Sequence, residues 1–200
     1  MLDGLARRVI DPPLNAAGRR LAAAGVTADG VTTAGLVAGL GAAVAIALHA
    51  PLLGLVLIGL SRLLDGLDGA VARASAKTDR GGYLDIVFDF IFYGAVPLAF
   101  AVADPAMAIP AAVLLFAFYV NGASFLAYAI FAAKRGLETR GRGDKSLYFT
   151  AGLAEGTETI AVFVAMCLWP AGFALLAYGF AALCLVTAAA RIRLAVDAFS

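Results

Sequence analysis

The sequence predicts an all-α, polytopic membrane protein of six transmembrane helices, preceded by an amphipathic juxtamembrane helix on the cytoplasmic surface. Three observations carry this expectation. The 200-residue chain is 62% hydrophobic and 14% charged, with a mean hydropathy of +0.92, which is too apolar for a soluble domain. Its apolar residues gather into six stretches, each near the ~20 residues a helix needs to cross the hydrocarbon core. The basic residues flank those stretches on one side only, a positive-inside pattern. A net charge of +1 adds little by itself, and no nucleic-acid module or large soluble domain is present. Residues 1–20 lack the continuous apolar region of a secretory signal, so the first span is expected to direct insertion.

Residues 1–25 read as the juxtamembrane segment and 26–200 as the six-helix domain. Asp11 is a plausible N-cap with Pro12 in the first helical position. Leu14, Ala17 and Leu21 recur at helical spacing opposite Asn15 and Arg19, leaving the arginines to face anionic headgroups. A turn with a cap at residues 27–32 leads into the first span, 31–49. The others are expected at 52–73, 81–102, 106–133, 147–168 and 172–190. Six spans return the chain to its starting side. That side collects Arg7, Arg8, Arg19, Arg20, Lys77, Arg80, Lys134, Arg135, Arg140, Arg142, Lys145, Arg191 and Arg193. Arg62 and Arg73 lie within span two, and the opposite loops hold no Lys or Arg.

Residues 65–89 organise the rest. At roughly 100° per residue, Asp65, Asp68, Gly69, Ala72 and Arg73 fall within an arc of about 140° on one helix. Asp85 and Asp89 sit one turn apart on the next, so two acidic faces joined by a tight connection can meet. Unpaired, each carboxylate would cost at least ~2.5 kcal/mol near a bilayer centre. Divalent cations remove that conflict, because carboxylate oxygens are the hard ligands that Mg²⁺, Mn²⁺ or Ca²⁺ prefer. The pattern therefore suggests a one- or two-metal centre open to a phosphorylated ligand, with Gly66, Gly69, Gly81 and Gly82 leaving backbone accessible beside it.

Asp65-x2-Asp68-Gly69-x2-Ala72-Arg73, followed by Gly81-x3-Asp85-x3-Asp89, resembles the signature of the class I CDP-alcohol phosphotransferase (phosphatidyltransferase) family. The resemblance implies an enzyme that moves a substituted phosphate group from CDP-diacylglycerol to a small polar alcohol and releases CMP. It further implies that Asp65, Asp68, Asp85 and Asp89 hold two Mg²⁺ or Mn²⁺ ions, with Asp89 also the general base. Gly69, Ala72, Arg73 and Gly81 would receive the CDP moiety, and the protein would be a homodimer. The acidic faces fall in the cytoplasmic half of the spans, which in a bacterium means the inner side of the cell inner membrane. The acceptor stays open among glycerol 3-phosphate, inositol or its phosphate, serine and an amino alcohol. A soluble CDP-alcohol donor with a lipid acceptor is a further alternative.

Other features are weighed against plainer roles. Glu155 and Glu158, with Arg135 and Lys145 of the basic loop, are candidate acceptor contacts; the glutamates can equally neutralise Arg62 or Arg73. Asn121, Ser124 and Tyr128 form a polar stripe expected to serve interhelical hydrogen bonding. Gly35, Gly39, Gly152 and Gly156 form small-xxx-small pairs, read as packing within one chain ahead of a dimer seam. Cys167 and Cys184 read as buried free thiols, and His49 as an interfacial residue. Two rival classes remain. A divalent-cation transporter accounts for intramembrane acids but not for their one-sided clustering. An aspartate-rich prenyltransferase would also bind a diphosphate through Mg²⁺.

Overall fold

The computed structural model describes residues 3–136 and 154–200, the side chains of residues 3–10 excepted. Those residues form seven α-helices: α1 (Asp3–Ala23), α2 (Ala28–Ala47), α3 (Pro51–Ala74), α4 (Asp79–Ala103), α5 (Ala108–Lys134), α6 (Gly156–Leu168) and α7 (Phe173–Phe199). Single 3-10 turns at Pro105–Met107 and Pro170–Gly172 lead into α5 and α7. No strand occurs among the described residues.

The boundaries follow local chemistry. Thr27 and Thr78 cap α2 and α4, accepting from Gly30 N at 3.2 Å and Gly81 N at 3.0 Å, and Pro51 occupies the first turn of α3, where its missing N–H is not needed. The tight link between α2 and α3 places His49 in the left-handed region at φ 61°.

Two expected boundaries move. α1 does not start at Asp11. It begins at Asp3 and runs through Pro12 and Pro13, although each proline removes a hydrogen-bond donor and crowds the preceding turn. α7 does not stop at residue 190 but reaches Phe199. No glycine or proline follows Ala190, and Arg, Leu and Ala favour helix. Arg191 and Arg193, expected beyond the end of span six, thus lie on α7 itself.

Among the described residues, four helical segments are long and apolar enough to cross a membrane: Ala28–Ala47, Asp79–Ala103, Pro105–Lys134 and Pro170–Phe199. This is fewer than the six stretches expected. α3 carries Arg62, Asp65, Asp68 and Arg73, and α6 is an apolar helix of 13 residues, about 20 Å long. Residues 147–153 of the expected fifth span lie outside the described residues. The outward faces of the long helices are apolar: Val37, Val44, Leu98, Ile109, Phe116 and Leu175 are exposed, as expected of surface facing lipid.

Small residues set the packing around the acidic stretch. A Cβ at Gly39 would lie 2.7 Å from the Phe92 ring and 3.0 Å from Ser61 Oγ, and one at Gly54 would lie 2.6 Å from Ile46. Side chains of α3 and α4 thus rest directly on the α2 backbone at Gly39, and Ile46 of α2 rests on the α3 backbone at Gly54; Ser61 Oγ donates to Gly35 O across the α2–α3 seam at 2.8 Å. The intrachain reading of Gly35 and Gly39 holds; Gly152 lies outside the described residues. Phe92, Phe163, Phe118 and Phe180 form an edge-to-face chain through the core, joining α4 to α5, α6 and α7.

α1 packs on α3. A Cβ at Gly18 would overlap Ala70 at 2.7 Å, and Leu14 reaches within 2.9 Å of one at Gly66. Asn15 faces α3 as well, contrary to its expected place opposite Leu14, because its side chain meets Arg73.

Candidate metal centre

The tight α3–α4 connection lets the two acidic faces converge. Carboxylate oxygens of Asp65, Asp68 and Asp85 all lie within 4.8 Å of one another. Asp68 is buried, Asp65 and Asp85 half-buried. Asp89 lines the same small pocket, together with Arg62 from α3 and Thr32 and Gly35 from α2. Four acids thus share one cleft, three of them as a cluster.

The donor set fits a divalent cation. A six-coordinate Mg²⁺ at 2.0–2.1 Å separates opposite ligand oxygens by roughly 4.2 Å, so only small side-chain shifts separate the cluster from a coordination shell. Among the described residues, Asp68 Oδ2 is buried without a hydrogen-bond partner, a costly state that a cation would relieve. Asp65, Asp68 and Asp85 are the residues that would hold it.

Asp89 is held differently. Arg62 Nη1 donates to its Oδ1 at 2.7 Å and lies 3.6 Å from Asp65 Oδ1, while the guanidinium stacks 4.2 Å from the Phe92 ring centroid. Arg62 is therefore met by Asp89 and Asp65, where the sequence pattern left Glu155 and Glu158 as its candidate partners. Sequence spacing hid this contact, because Arg62 and Asp89 are 27 residues apart and on different helices.

A model of the CDP-alcohol phosphatidyltransferase family matches residues 25–194. The chain belongs to that family. It is 48% identical over 193 residues to the inner membrane protein YnjF of Escherichia coli (strain K12), covering 96% of this chain and 94% of that protein. It is also 34% identical over 84 residues to archaetidylinositol phosphate synthase of Pyrococcus horikoshii, covering 42% of this chain and 45% of that enzyme. Its fold resembles Mycobacterium tuberculosis phosphatidylinositol phosphate synthase (PgsA1) with CDP-DAG bound, at TM-score 0.73 and 22% identity over 91% of this chain and 92% of that one. The same protein in complex with manganese and citrate gives TM-score 0.71 and 23% identity, covering 91% of this chain and 88% of that one. At those identities the structural likeness speaks for the fold.

The remaining family-signature positions stand on the same two helices, outside the pocket lining. Gly69 and Ala72 are half-buried. Gly81 lies in the first turn of α4, where a Cβ would come 3.2 Å from Asp29 Oδ1, so the glycine permits close approach to α2. Arg73 is exposed and donates from Nε and Nη2 to Asn15 Oδ1 at 3.1 and 2.9 Å, a partner on α1 that the signature does not contain.

The candidate acceptor contacts are more scattered. Glu155 is the N-cap of α6 and Glu158 lies in its first turn, both half-buried. Arg135 donates to the carbonyls of Ala198 and Phe199 at 3.2 and 2.6 Å, tying α5 to the end of α7. Lys145 lies outside the described residues. The polar stripe of α5 serves the interhelical role expected of it: Asn121 and Ser124 receive Arg191 at 2.9–3.1 Å. Cys167 and Cys184 are buried free thiols, as expected.

Proposed function

We propose that this chain moves a phosphatidyl group from CDP-diacylglycerol to a small polar alcohol and releases CMP, using a divalent-metal centre in the α2–α3–α4 pocket. The convergence of Asp65, Asp68 and Asp85 beside Asp89 is the observation that carries the reading. Family membership supports the reaction class. The PgsA1 structures with CDP-DAG and with manganese and citrate support the donor and the type of ion.

Asp65, Asp68 and Asp85, with Asp89 beside them, would hold Mg²⁺ or Mn²⁺, which would supply positive charge to offset the diphosphate and the departing CMP. Asp89 takes the proton of the attacking hydroxyl. The acceptor oxygen forms a bond to the phosphorus that carries diacylglycerol, and the bond from that phosphorus to CMP breaks. Arg73, held by Asn15 at the rim, meets a phosphate or the nucleotide, with Gly69, Ala72 and Gly81 keeping the backbone near it uncrowded. Glu155 and Glu158, with Lys145, are the candidate acceptor contacts. In this reading α2 to α7 are six spans, α3 among them because its charges face neighbouring helices. α1 is the juxtamembrane helix, the pocket opens to the cytoplasm, and two chains form a homodimer.

The test is CMP release by the purified chain in lipid nanodiscs, with CDP-diacylglycerol, Mg²⁺ or Mn²⁺, and a panel of glycerol 3-phosphate, inositol, inositol phosphate, serine and amino alcohols. One acceptor should yield CMP and a new phospholipid. Metal uptake into vesicles without CMP release, or pyrophosphate release from a prenyl donor, would replace this reading with one of its rivals.

A further inference from the structure

α5 and α7 are tied together twice near their C-terminal ends, and a groove lies open between the ties. The deeper tie is Arg191 of α7, which donates to Asn121 and Ser124 of α5. About three turns further along α5, Arg135 donates to the carbonyls of Ala198 and Phe199 and stands 5.3 Å over the Phe199 ring. Between them the helices leave a space of about 400 Å³, walled mainly by Ala127 and Phe131 of α5 and by Ile192, Ala195, Val196 and Phe199 of α7. Two of those residues are alanines, so the helices part there with little side chain to fill the gap. The space has volume for about a dozen waters at roughly 30 Å³ each, but apolar walls give water few partners.

The position of the groove says what fills it. α5 and α7 are 27 residues each, about 40 Å long against a hydrocarbon core of ~30 Å, so helix ends reach the headgroups. Lys134 and Arg135, both exposed, mark that level at the end of α5. At 100° per residue Arg135 falls on the α5 face that carries Ser124 and Phe131, whereas Asp197 is turned about 150° from the groove face of α7. The mouth is therefore cationic over an apolar trough. Arg135 uses two of its five N–H groups on the α7 carbonyls, and the others are left for an anion. We propose that this groove binds one anionic phospholipid of the surrounding membrane, an acyl chain lying between α5 and α7 and the phosphate resting on Arg135 and Lys134. The groove shares no lining residue with the α2–α3–α4 pocket, and the proposal is independent of the reaction assigned there.

Native mass spectrometry of the full chain, stripped of lipid in detergent and then given equal amounts of dioleoylphosphatidylglycerol and dioleoylphosphatidylcholine, tests it without turnover. The wild-type chain should keep one phosphatidylglycerol, preferred about tenfold or more. Lys134→Gln, which leaves the Arg135 tie intact, and Arg135→Gln should each lower that preference about fivefold. Ala195→Leu, or Ala127→Leu from the other wall, fills the trough and should abolish retention while the unfolding midpoint in lipid-free detergent stays level or rises. Equal retention of the two lipids by the wild-type chain would overturn the proposal. So would phosphatidylglycerol binding that survives both leucine variants, which would place the lipid elsewhere, as in the α2–α3–α4 pocket. Conversion of a dimer to a monomer by Ala195→Leu, read by light scattering, would make a second copy of the chain the occupant and the lipid assignment wrong.

Discussion

Arg62 and Arg191 are both arginines held among helices, and they are satisfied in opposite ways. Arg191 is buried at 8% exposure and directs Nη1 at the Asn121 carbonyl, the Asn121 amide oxygen and Ser124 Oγ. Uncharged oxygens take its hydrogen bonds, and one carboxylate, that of Glu155, acts on it electrostatically, so the charge is balanced without a further ion. Arg62 is the one cation among the residues that line a pocket with four carboxylates. An excess of one sign in a low-dielectric place calls for a ligand, whereas a charge met by dipoles and a single opposite charge calls for nothing more. The difference separates a candidate site from a structural joint.

The largest effect expected from breaking this contrast is at the cluster. Asp68→Ala or Asp85→Ala should abolish Mn²⁺ binding and lower CMP release at least about a thousandfold, measured by spin-resonance titration and a CMP assay. Full activity in either variant would remove the metal centre from consideration. Asp89→Asn comes next, with kcat lowered about 10²–10⁴-fold and CDP-diacylglycerol binding retained in a direct binding measurement; equal loss of both would take the base role from Asp89. Gly39→Val is expected to drive side-chain atoms into Phe92, on which Arg62 rests. Overpacking of that kind costs about 1–3 kcal/mol, readable as a lower unfolding midpoint in detergent.

On the other side of the comparison, Asn121→Ala strips Arg191 of an acceptor and should cost about 1–2 kcal/mol of stability while CMP release per folded molecule persists. Loss of turnover without loss of stability there would mean that Arg191 is more than a joint. The smallest effect belongs to Asn15→Ala. Freeing the exposed Arg73 should raise KM for CDP-diacylglycerol a few-fold, about 0.5–1 kcal/mol, with kcat unchanged.

Much of this was available from residue order alone. The apolar stretches named the helical class because a lipid-facing backbone must satisfy its own hydrogen bonds. The i, i+3 and i, i+4 spacing of Asp65, Asp68, Asp85 and Asp89 placed the acids on two faces because helix geometry is local. The cap at Thr27 is local too, closing within three residues. The start of α1 was misjudged because Asp11-Pro12 looks like a helix start whether or not helix precedes it. The extent of α7 was underestimated because hydropathy marks where apolar residues end, not where helix does.

What residue order could not decide was which charges meet. Arg62 finds Asp89, Arg73 finds Asn15 and Arg191 finds Asn121 across separations of 27, 58 and 70 residues, and each contact depends on how two helices rotate and slide against each other. That rotation is set by packing, by the clefts at Gly18, Gly39 and Gly54 that admit a neighbouring helix. Spacing along one helix thus determined which residues share a face, and only the close-packed bundle decided which face each one met.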